Sequence, residues 1–203
     1  GFIGQGVKVE RLETEATPWL GRHPLALNSG TSALMLALRL AGVGPGDRVV
    51  TTPMTCFATI APILDLRAVP VWVDIDPWTG NVDPEDMERK VPGAKAVLVV
   101  DWGGYPCDYS ALLATARRHG VPLIEDAAHA FGSYYQGSKV GSIADFTAFS
   151  LQAIKCITSV DGGFLTCQSD ADRERGKRLR WYGIDREARG EDLRCEADIL
   201  ESG

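Results

Sequence analysis

The sequence lacks the features that direct a protein to a membrane or to a nucleic acid. No apolar run in its 203 residues approaches the roughly 20 residues that a membrane-spanning helix needs. Its formal net charge is -6 at pH 7, which does not offset the repulsion of nucleic-acid phosphates. The arginines in 173–181 are spaced as the polar face of a helix rather than as a binding stripe. We therefore predict that the protein binds neither membranes nor nucleic acids.

The sequence also lacks closely spaced cysteines and a secretion signal. Its 5 cysteines lie far apart and form no C-x-x-C pair. Zinc ligation needs closer spacing, so we predict no metal site. An odd number of cysteines without a signal peptide is typical of reduced thiols, which indicates the cytoplasm. Most of these cysteines are predicted to be small core residues.

Residues 30–182 alternate short apolar runs with helical stretches. This pattern predicts an α/β fold, a mostly parallel sheet flanked by helices. Helices are expected from Thr31 to about residue 41 and in 58–66, 83–91, 109–120 and 173–183. Strands are expected in 48–52, 69–75, 94–100, 121–125, 145–150 and 162–167.

The two ends of the chain suggest a piece of a longer protein. The sequence begins with glycine rather than methionine, and it stops without a helix cap or a closing strand. We assign residues 1–183 to one large domain that is clipped at its N-terminus. The polar, irregular stretch 184–203 is predicted to be a mobile loop that leads to a missing C-terminal part.

Three polar loops follow predicted strands, at residues 53–57, 101–105 and 126–132. In open α/β sheets, ligands bind beyond the carboxyl ends of the strands. Together with the helix start at Thr31, these loops suggest one binding site. No G-x-G-x-x-G motif follows a strand, which disfavours a dinucleotide-binding domain.

Gly30 and Thr31 stand at a helix start, where unpaired amides can bind an anion. Most such residues are only caps, so this signal is weak. Asp126 directly follows an apolar strand, where its carboxylate must be solvated or pair with a cation. The alternative for Asp126 is an ordinary helix cap, and His129 could equally pack against the sheet.

Lys155 lies between two predicted strands and has apolar neighbours in Ala153, Ile154 and Ile157. A partly desolvated amine is a usable nucleophile. The alternative is a lysine whose stem packs against the protein while its amine reaches water.

These residues occur in a specific order along the chain. A glycine–threonine helix start precedes a strand-end aspartate and then Ser-x-x-x-x-Lys-x-x-x-x-x-Asp-Gly-Gly. This order resembles the DegT/DnrJ/StrS family of sugar aminotransferases, which belong to fold type I of the pyridoxal 5′-phosphate enzymes, the aspartate-aminotransferase superfamily. The resemblance extends from FIGQG at the start to RWYGIDRE near the end.

The resemblance implies the cofactor-binding large domain of an aminotransferase. Its substrates would be an amino-acid donor such as glutamate and a keto group on a nucleotide-linked deoxysugar. It implies a small C-terminal domain that is absent here. It also implies a homodimer in the full-length protein, in which the partner supplies an asparagine to the cofactor phosphate.

The same resemblance implies the catalytic roles. Lys155 would form the Schiff base with pyridoxal phosphate and would then shuttle a proton. Asp126 would bind the pyridine nitrogen and keep it protonated, so that the ring acts as an electron sink. His129 would lie beside the ring, near its phenolic oxygen.

The remaining cofactor-binding positions also follow from the resemblance. Gly30, Thr31 and Ser150 would hold the cofactor phosphate. Family members commonly have an aromatic residue stacked on the ring in the segment that matches 53–57. Cys56 occupies that position here and Phe57 follows it, so which of the two covers the ring stays open.

Two other functions compete with transamination. A cofactor-dependent sugar dehydratase of the same family generally has histidine in place of the lysine, so Lys155 disfavours it. A non-catalytic cofactor-binding domain would not need to keep Lys155 and Asp126.

Overall fold

A computed structural model describes residues 5–183 of the chain. The helices are α1 (Val7–Leu20), α2 (Gly30–Leu40), α3 (Phe57–Asp65), α4 (Pro84–Lys90), α5 (Tyr109–His119) and α6 (Asp170–Leu179). The strands are β1 (Leu25–Leu27), β2 (Arg48–Thr51), β3 (Val69–Trp72), β4 (Ala96–Val100), β5 (Leu123–Asp126), β6 (Tyr134–Tyr135), β7 (Ser138–Lys139), β8 (Phe146–Ser150) and β9 (Gly163–Cys167). A 3-10 turn at Trp102–Gly104 follows β4.

Seven of the strands form one mixed sheet in the order β1-β9-β8-β5-β4-β2-β3. Strand β9 is antiparallel to both of its neighbours, and the remaining pairs are parallel. The prediction of a mostly parallel α/β sheet is therefore confirmed. The short strands β6 and β7 form a separate hairpin.

The central strands are buried on both faces, which explains their continuous apolar runs. Every residue of β4 is buried, and its side chains alternate between two apolar clusters. Leu98 and Ile124 pack beneath α2 on one face. Val99 and Leu123 pack with Leu112 of α5 on the other. Helices thus cover both faces and leave the carboxyl edge of the parallel strands open to a site.

Local capping residues set several helix boundaries as predicted. The Asp83 side chain accepts the Glu85 amide at 2.9 Å, and Pro84 opens α4, where its missing N–H costs no helical hydrogen bond. Gly120 ends α5 in the left-handed conformation, with φ 65°. Helix α6 begins earlier than predicted because Ser169 caps it.

The structure corrects the interpretation of the basic stretch 173–181. The side chain of Arg180 is only 5% exposed and pairs with Glu13 of α1 at 2.6 Å. Glu13 also accepts the backbone amide of Ala26 in β1 at 2.8 Å. The residue that follows α6 therefore anchors α1 and β1, two elements that the sequence did not predict.

The cysteine prediction is correct only in part. Cys107 and Cys167 are buried, whereas Cys56 and Cys156 are exposed. Within residues 5–183, no helix is long and apolar enough to cross a membrane. The predicted loop at 184–203 lies outside the described residues, so the division at residue 183 stays a prediction.

Candidate active site

A cleft of about 520 Å³ lies at the carboxyl edge of the parallel strands. The start of α2 and the segments that follow β2, β4, β5 and β8 surround it. The three polar loops identified in the sequence therefore meet at one place. Seven of the eight predicted site residues line the cleft: Gly30, Thr31, Cys56, Asp126, His129, Ser150 and Lys155.

Asp126 is the last residue of β5, and its carboxylate is buried among polar partners. One oxygen accepts a hydrogen bond from the Thr59 hydroxyl at 2.7 Å, and the other accepts a hydrogen bond from the Ala128 backbone amide at 3.1 Å. Burial raises the pKa of Asp126, while the hydrogen bond from Thr59 opposes that shift. The residues after Asp126 form a turn rather than a helix, so the helix-cap interpretation is wrong. A buried carboxylate of this kind favours a cationic partner in the cleft.

The part of the cleft that is predicted to bind an anion depends on two close backbone approaches. Gly30 packs against Ser150, and a Cβ atom added at Gly30 would lie 3.0 Å from the Ser150 Cβ. A Cβ atom at Gly163 would lie 2.4 Å from the carbonyl oxygen of Ser29. Glycine is therefore required at Gly163, because β9 runs directly beneath the start of α2. The structure thus brings Gly30 and Thr31 close to Ser150, as the resemblance implies.

Lys155 lies in a loop that connects β8 to β9. Backbone hydrogen bonds close this loop at its base, from Leu151 to the Gly162 carbonyl at 2.9 Å and from Ser159 to the Leu151 carbonyl at 3.0 Å. The positive charge of Lys155 lowers the pKa of Asp126, which burial raises. The same charge adds to the effect of burial in lowering the pKa of His129. The lysine therefore shares the cleft with both predicted partners.

The predicted apolar setting of Lys155 is wrong. Ile154 is 82% exposed and Ile157 is 43% exposed, and Ala153 is exposed as well. These side chains are therefore largely open to solvent and do not form an apolar pocket around the lysine. The groups that share the cleft with Lys155 include the Asp126 carboxylate and the His129 imidazole.

His129 lines the cleft beside an aromatic ring. Its imidazole lies edge-on to the indole of Trp102, with 6.4 Å between the ring centroids. Burial, together with the charge of Lys155, lowers the pKa of His129. The imidazole is therefore favoured in its neutral form at neutral pH.

Cys56 and Phe57 occupy different environments. Cys56 precedes α3 and lines the cleft. Phe57 is the first residue of α3, is 69% exposed and does not belong to the cleft lining. The structure therefore separates Phe57 from the other predicted site residues.

Sequence reasoning located the loops but missed several residues that line the cleft. These are Ser29, Leu34, Thr55, Ala58, Thr59, Val100, Asp101, Trp102, Ala128, Gln152, Ile154 and Asp161. The only available signal was their position at strand ends and helix starts, which does not say which side chains face inward. No group of three or more metal-ligating side chains occurs within residues 5–183.

The mixed seven-stranded sheet flanked by helices is the fold of about half the length of solved aminotransferase structures. The sugar aminotransferase CalS13 from Micromonospora echinospora has a similar structure, with a TM-score of 0.87 and 35% identity over 93% of this chain and 55% of CalS13. The model of the DegT/DnrJ/EryC1/StrS aminotransferase family matches residues 1–197, and the chain belongs to this family.

Two further relatives extend the comparison. The spore coat polysaccharide biosynthesis protein SpsC of Bacillus subtilis is 42% identical over 190 residues, which are 93% of this chain and 49% of SpsC. The structure of DesI in the presence of its TDP-sugar product has a TM-score of 0.85 and 33% identity, covering 91% of this chain and 47% of DesI. The chain thus spans about half the length of the curated relatives it matches. Members of this family use pyridoxal phosphate.

Proposed function

We propose that the complete protein transfers an amino group from an amino-acid donor such as glutamate to a keto group of a nucleotide-linked sugar. The observation that carries this proposal is the meeting of Lys155 and the buried Asp126 in one cleft. The two residues lie on different strand-end segments, and each has a separate task in amino transfer.

The residues of the cleft fit pyridoxal phosphate. The start of α2, at Gly30 and Thr31, offers helix amides to a phosphate, and Ser150 lies against Gly30. Asp126 offers a buried carboxylate to a protonated ring nitrogen. When bound, this cofactor supplies an electron-accepting ring that stabilises negative charge at the substrate carbon.

Asp126 would hold the proton on the ring nitrogen. Burial disfavours the negative charge of the Asp126 carboxylate when no cation is near. A protonated ring nitrogen beside it would offset the cost of desolvating both charged groups. Thr59 donates to one carboxylate oxygen and so orients the group. This arrangement keeps the positive charge where an electron-accepting ring needs it.

Lys155 would hold and move the proton at the substrate carbon. A lysine amine that is held beside the reacting carbon is an effective base, because no diffusional encounter between base and substrate is needed. His129, in its favoured neutral form, would accept or donate a hydrogen bond beside the ring. Trp102 covers part of the same cleft and would limit the access of water.

Two of the relatives support the substrate class. SpsC is a polysaccharide biosynthesis protein, and DesI has a TDP-sugar product. The lysine favours amino transfer over the dehydratase alternative, in which histidine generally replaces it. A homodimer would complete the phosphate site with an asparagine from the partner.

Borohydride reduction of the complete protein with bound pyridoxal phosphate, followed by peptide mapping, tests the assignment of Lys155. We expect the label on Lys155, and Lys155→Arg as the matched control should remove it. Lys139 contacts the Pro18 carbonyl and Lys177 lies in α6, both away from the cleft lining. A label on either of these would refute the assignment.

The reaction type is tested separately with glutamate and a nucleotide-linked keto-deoxysugar. We expect 2-oxoglutarate and an amino sugar in equal amounts, because Lys155 can return the proton to the sugar carbon. Mass spectrometry of the sugar gives the result. A product that has lost water and gained no nitrogen would place the protein with the dehydratases.

A further inference from the structure

Two buried carboxyl groups, those of Asp101 and Glu125, lie close to the floor of the cleft, and Asp101 belongs to the cleft lining. Glu125 is in β5 and pairs in register with Val99 of β4. Asp101 follows β4, two residues after Val99 and on the same face. Both side chains are 0% exposed, so water does not stabilise either charge.

In each carboxyl group, one oxygen accepts a hydrogen bond from a described residue and the other oxygen accepts none. An Asp101 oxygen accepts the Cys107 amide at 3.0 Å and the Tyr109 hydroxyl at 2.7 Å. A Glu125 oxygen accepts the Thr147 hydroxyl at 2.6 Å. Within residues 5–183, Asp101 Oδ2 and Glu125 Oε1 meet no other donor. The two side chains are hydrogen-bonding neighbours of each other.

A single proton held between the two groups satisfies both orphaned oxygens. Two ionised carboxylates in contact would repel each other in a low-dielectric interior, and two protonated ones would leave a donor hydrogen without an acceptor. Among the described residues, no cluster could place a metal ion there instead. The geometry therefore requires one acid and one carboxylate.

The surrounding groups agree with one retained proton. Tyr109 and Cys107 face the pair from the α5 side, and burial raises the pKa of both, so they stay neutral. Arg22 attracts Glu125, but its guanidinium donates to the carbonyl oxygens of Ser142 and Ala144. Thr147 is the facing side chain from β8.

Burial raises the pKa of both Asp101 and Glu125. Asp101 accepts two hydrogen bonds that stabilise its charge, whereas Glu125 accepts one, so Glu125 is the acid that donates and Asp101 is the carboxylate that accepts.

The pair is connected to the cleft through the backbone. The Asp101 amide donates to the Asp126 carbonyl at 3.1 Å, and Asp126 directly follows Glu125. On the other side, Asp101 precedes Trp102, whose ring lies against His129. A movement of either carboxyl group would therefore displace Asp126 or Trp102.

We propose that Asp101 and Glu125 share one proton in the folded chain and form a positioning pair that fixes Asp126 and Trp102 at the cleft. The positioning role rests on the proposed function, whereas the shared proton does not. The two parts are therefore tested by separate measurements.

The shared proton is tested by the pH dependence of urea unfolding of the complete polypeptide. Above about pH 4.3, the ordinary pKa of glutamate, the unfolded chain loses this proton but the folded pair keeps it. Folded stability therefore falls as the pH rises toward the folded pKa of the pair. Relative to Glu125→Gln, the unfolding equilibrium constant of the wild type should rise about tenfold per pH unit in this interval.

Glu125→Gln is informative because its amide can donate to Asp101 and accept from Thr147 without titrating. Glu85→Gln, at an exposed position of α4, is the matched control and should keep the wild-type slope. Asp101→Asn offers the same hydrogen bonds in reverse and should also lose the slope, so it replaces Glu125→Gln if that variant does not fold. A wild-type slope in either pair variant would overturn the proposal.

The positioning role is tested by titration with pyridoxal phosphate at pH 7. Glu125→Gln should bind within about twofold of the wild type, whereas Glu125→Leu, which leaves the Oδ2 atom of Asp101 without a donor, should bind at least about tenfold more weakly. Equal affinity of the Gln and Leu variants would overturn the positioning role. A wild type that binds no cofactor would refute the proposed function, and the pH slope would still decide whether the proton is shared.

Discussion

Replacement of Gly163 by alanine tests the packing of β9 beneath the start of α2. The added Cβ atom would lie 2.4 Å from the Ser29 carbonyl oxygen, 2.5 Å from the Ser29 carbonyl carbon and 2.7 Å from the Gly30 nitrogen. All three are backbone atoms, so no side-chain rotation relieves the contact. Ordinary contacts begin at 3.4 Å, so the helix start must move by about 3.4 − 2.4 = 1.0 Å.

This displacement has two expected consequences. Over-packing of this kind costs about 1–3 kcal/mol of folded stability. A shift of about 1 Å in a positioning element can cost about 100-fold in the step that depends on it. Because Gly30 and Thr31 are the residues proposed to hold the cofactor phosphate, we expect affinity for pyridoxal phosphate to fall by roughly that factor.

Urea unfolding gives the first quantity, and titration with pyridoxal phosphate gives the second. Gly44→Ala is the matched control, because the nearest atom to its added Cβ is the Asp47 carboxylate oxygen at 4.0 Å. The control should change neither quantity. Wild-type stability together with wild-type affinity in Gly163→Ala would refute the close approach and the phosphate site assigned to it.

Three further substitutions test other parts of the structure. Val160 has φ 74°, a backbone conformation that costs a β-branched residue roughly 1–2 kcal/mol. Val160→Gly removes this strain but adds the entropy cost of glycine, so the free energy of unfolding should rise by up to about 1 kcal/mol. A less stable glycine variant in urea unfolding would contradict this strain. Arg180→Leu leaves Glu13 buried and unpaired, so it should cost about 3–5 kcal/mol, part of which Glu13→Gln in the same chain should restore. A loss below about 1 kcal/mol would show that the ion pair does not anchor α1. Thr59→Val removes the hydroxyl whose hydrogen bond lowers the pKa of Asp126, so this pKa should rise further. The cofactor-free protein loses stability as the pH rises toward the folded pKa of Asp126, so in the valine variant this loss should continue to a higher pH. Thr59→Ser should keep the wild-type profile of urea midpoint against pH, and an unchanged profile in the valine variant would exclude this role.

The sequence by itself predicted the sheet and the location of the site. The buried run of β4 reads as a strand because both of its faces are covered by helices. Asp83, Pro84 and Gly120 mark helix ends through interactions within a few residues of the chain. The cleft was predictable because the carboxyl ends of parallel strands lie along one edge.

Local patterns failed where burial depends on distant parts of the chain. Ile154 and Ile157 predict an apolar setting for Lys155 in the sequence, but in the structure their loop leaves both side chains exposed. Arg180 reads as a surface cation, but α1 supplies Glu13 and buries both charges. Cys56 and Phe57 are adjacent, and only the direction of the chain entering α3 decides which one reaches the cleft.

Other features exist only because remote segments approach each other. Gly163 must be glycine because β9 passes beneath the backbone of Ser29. Asp101 and Glu125 form a pair because β4 and β5 are neighbours in the sheet and place both side chains on one face. Sequence periodicity gives the type of each element and the side that it buries. The contacts across elements, and therefore the charges and the shape of the cleft, follow from strand order and register, which long-range packing decides.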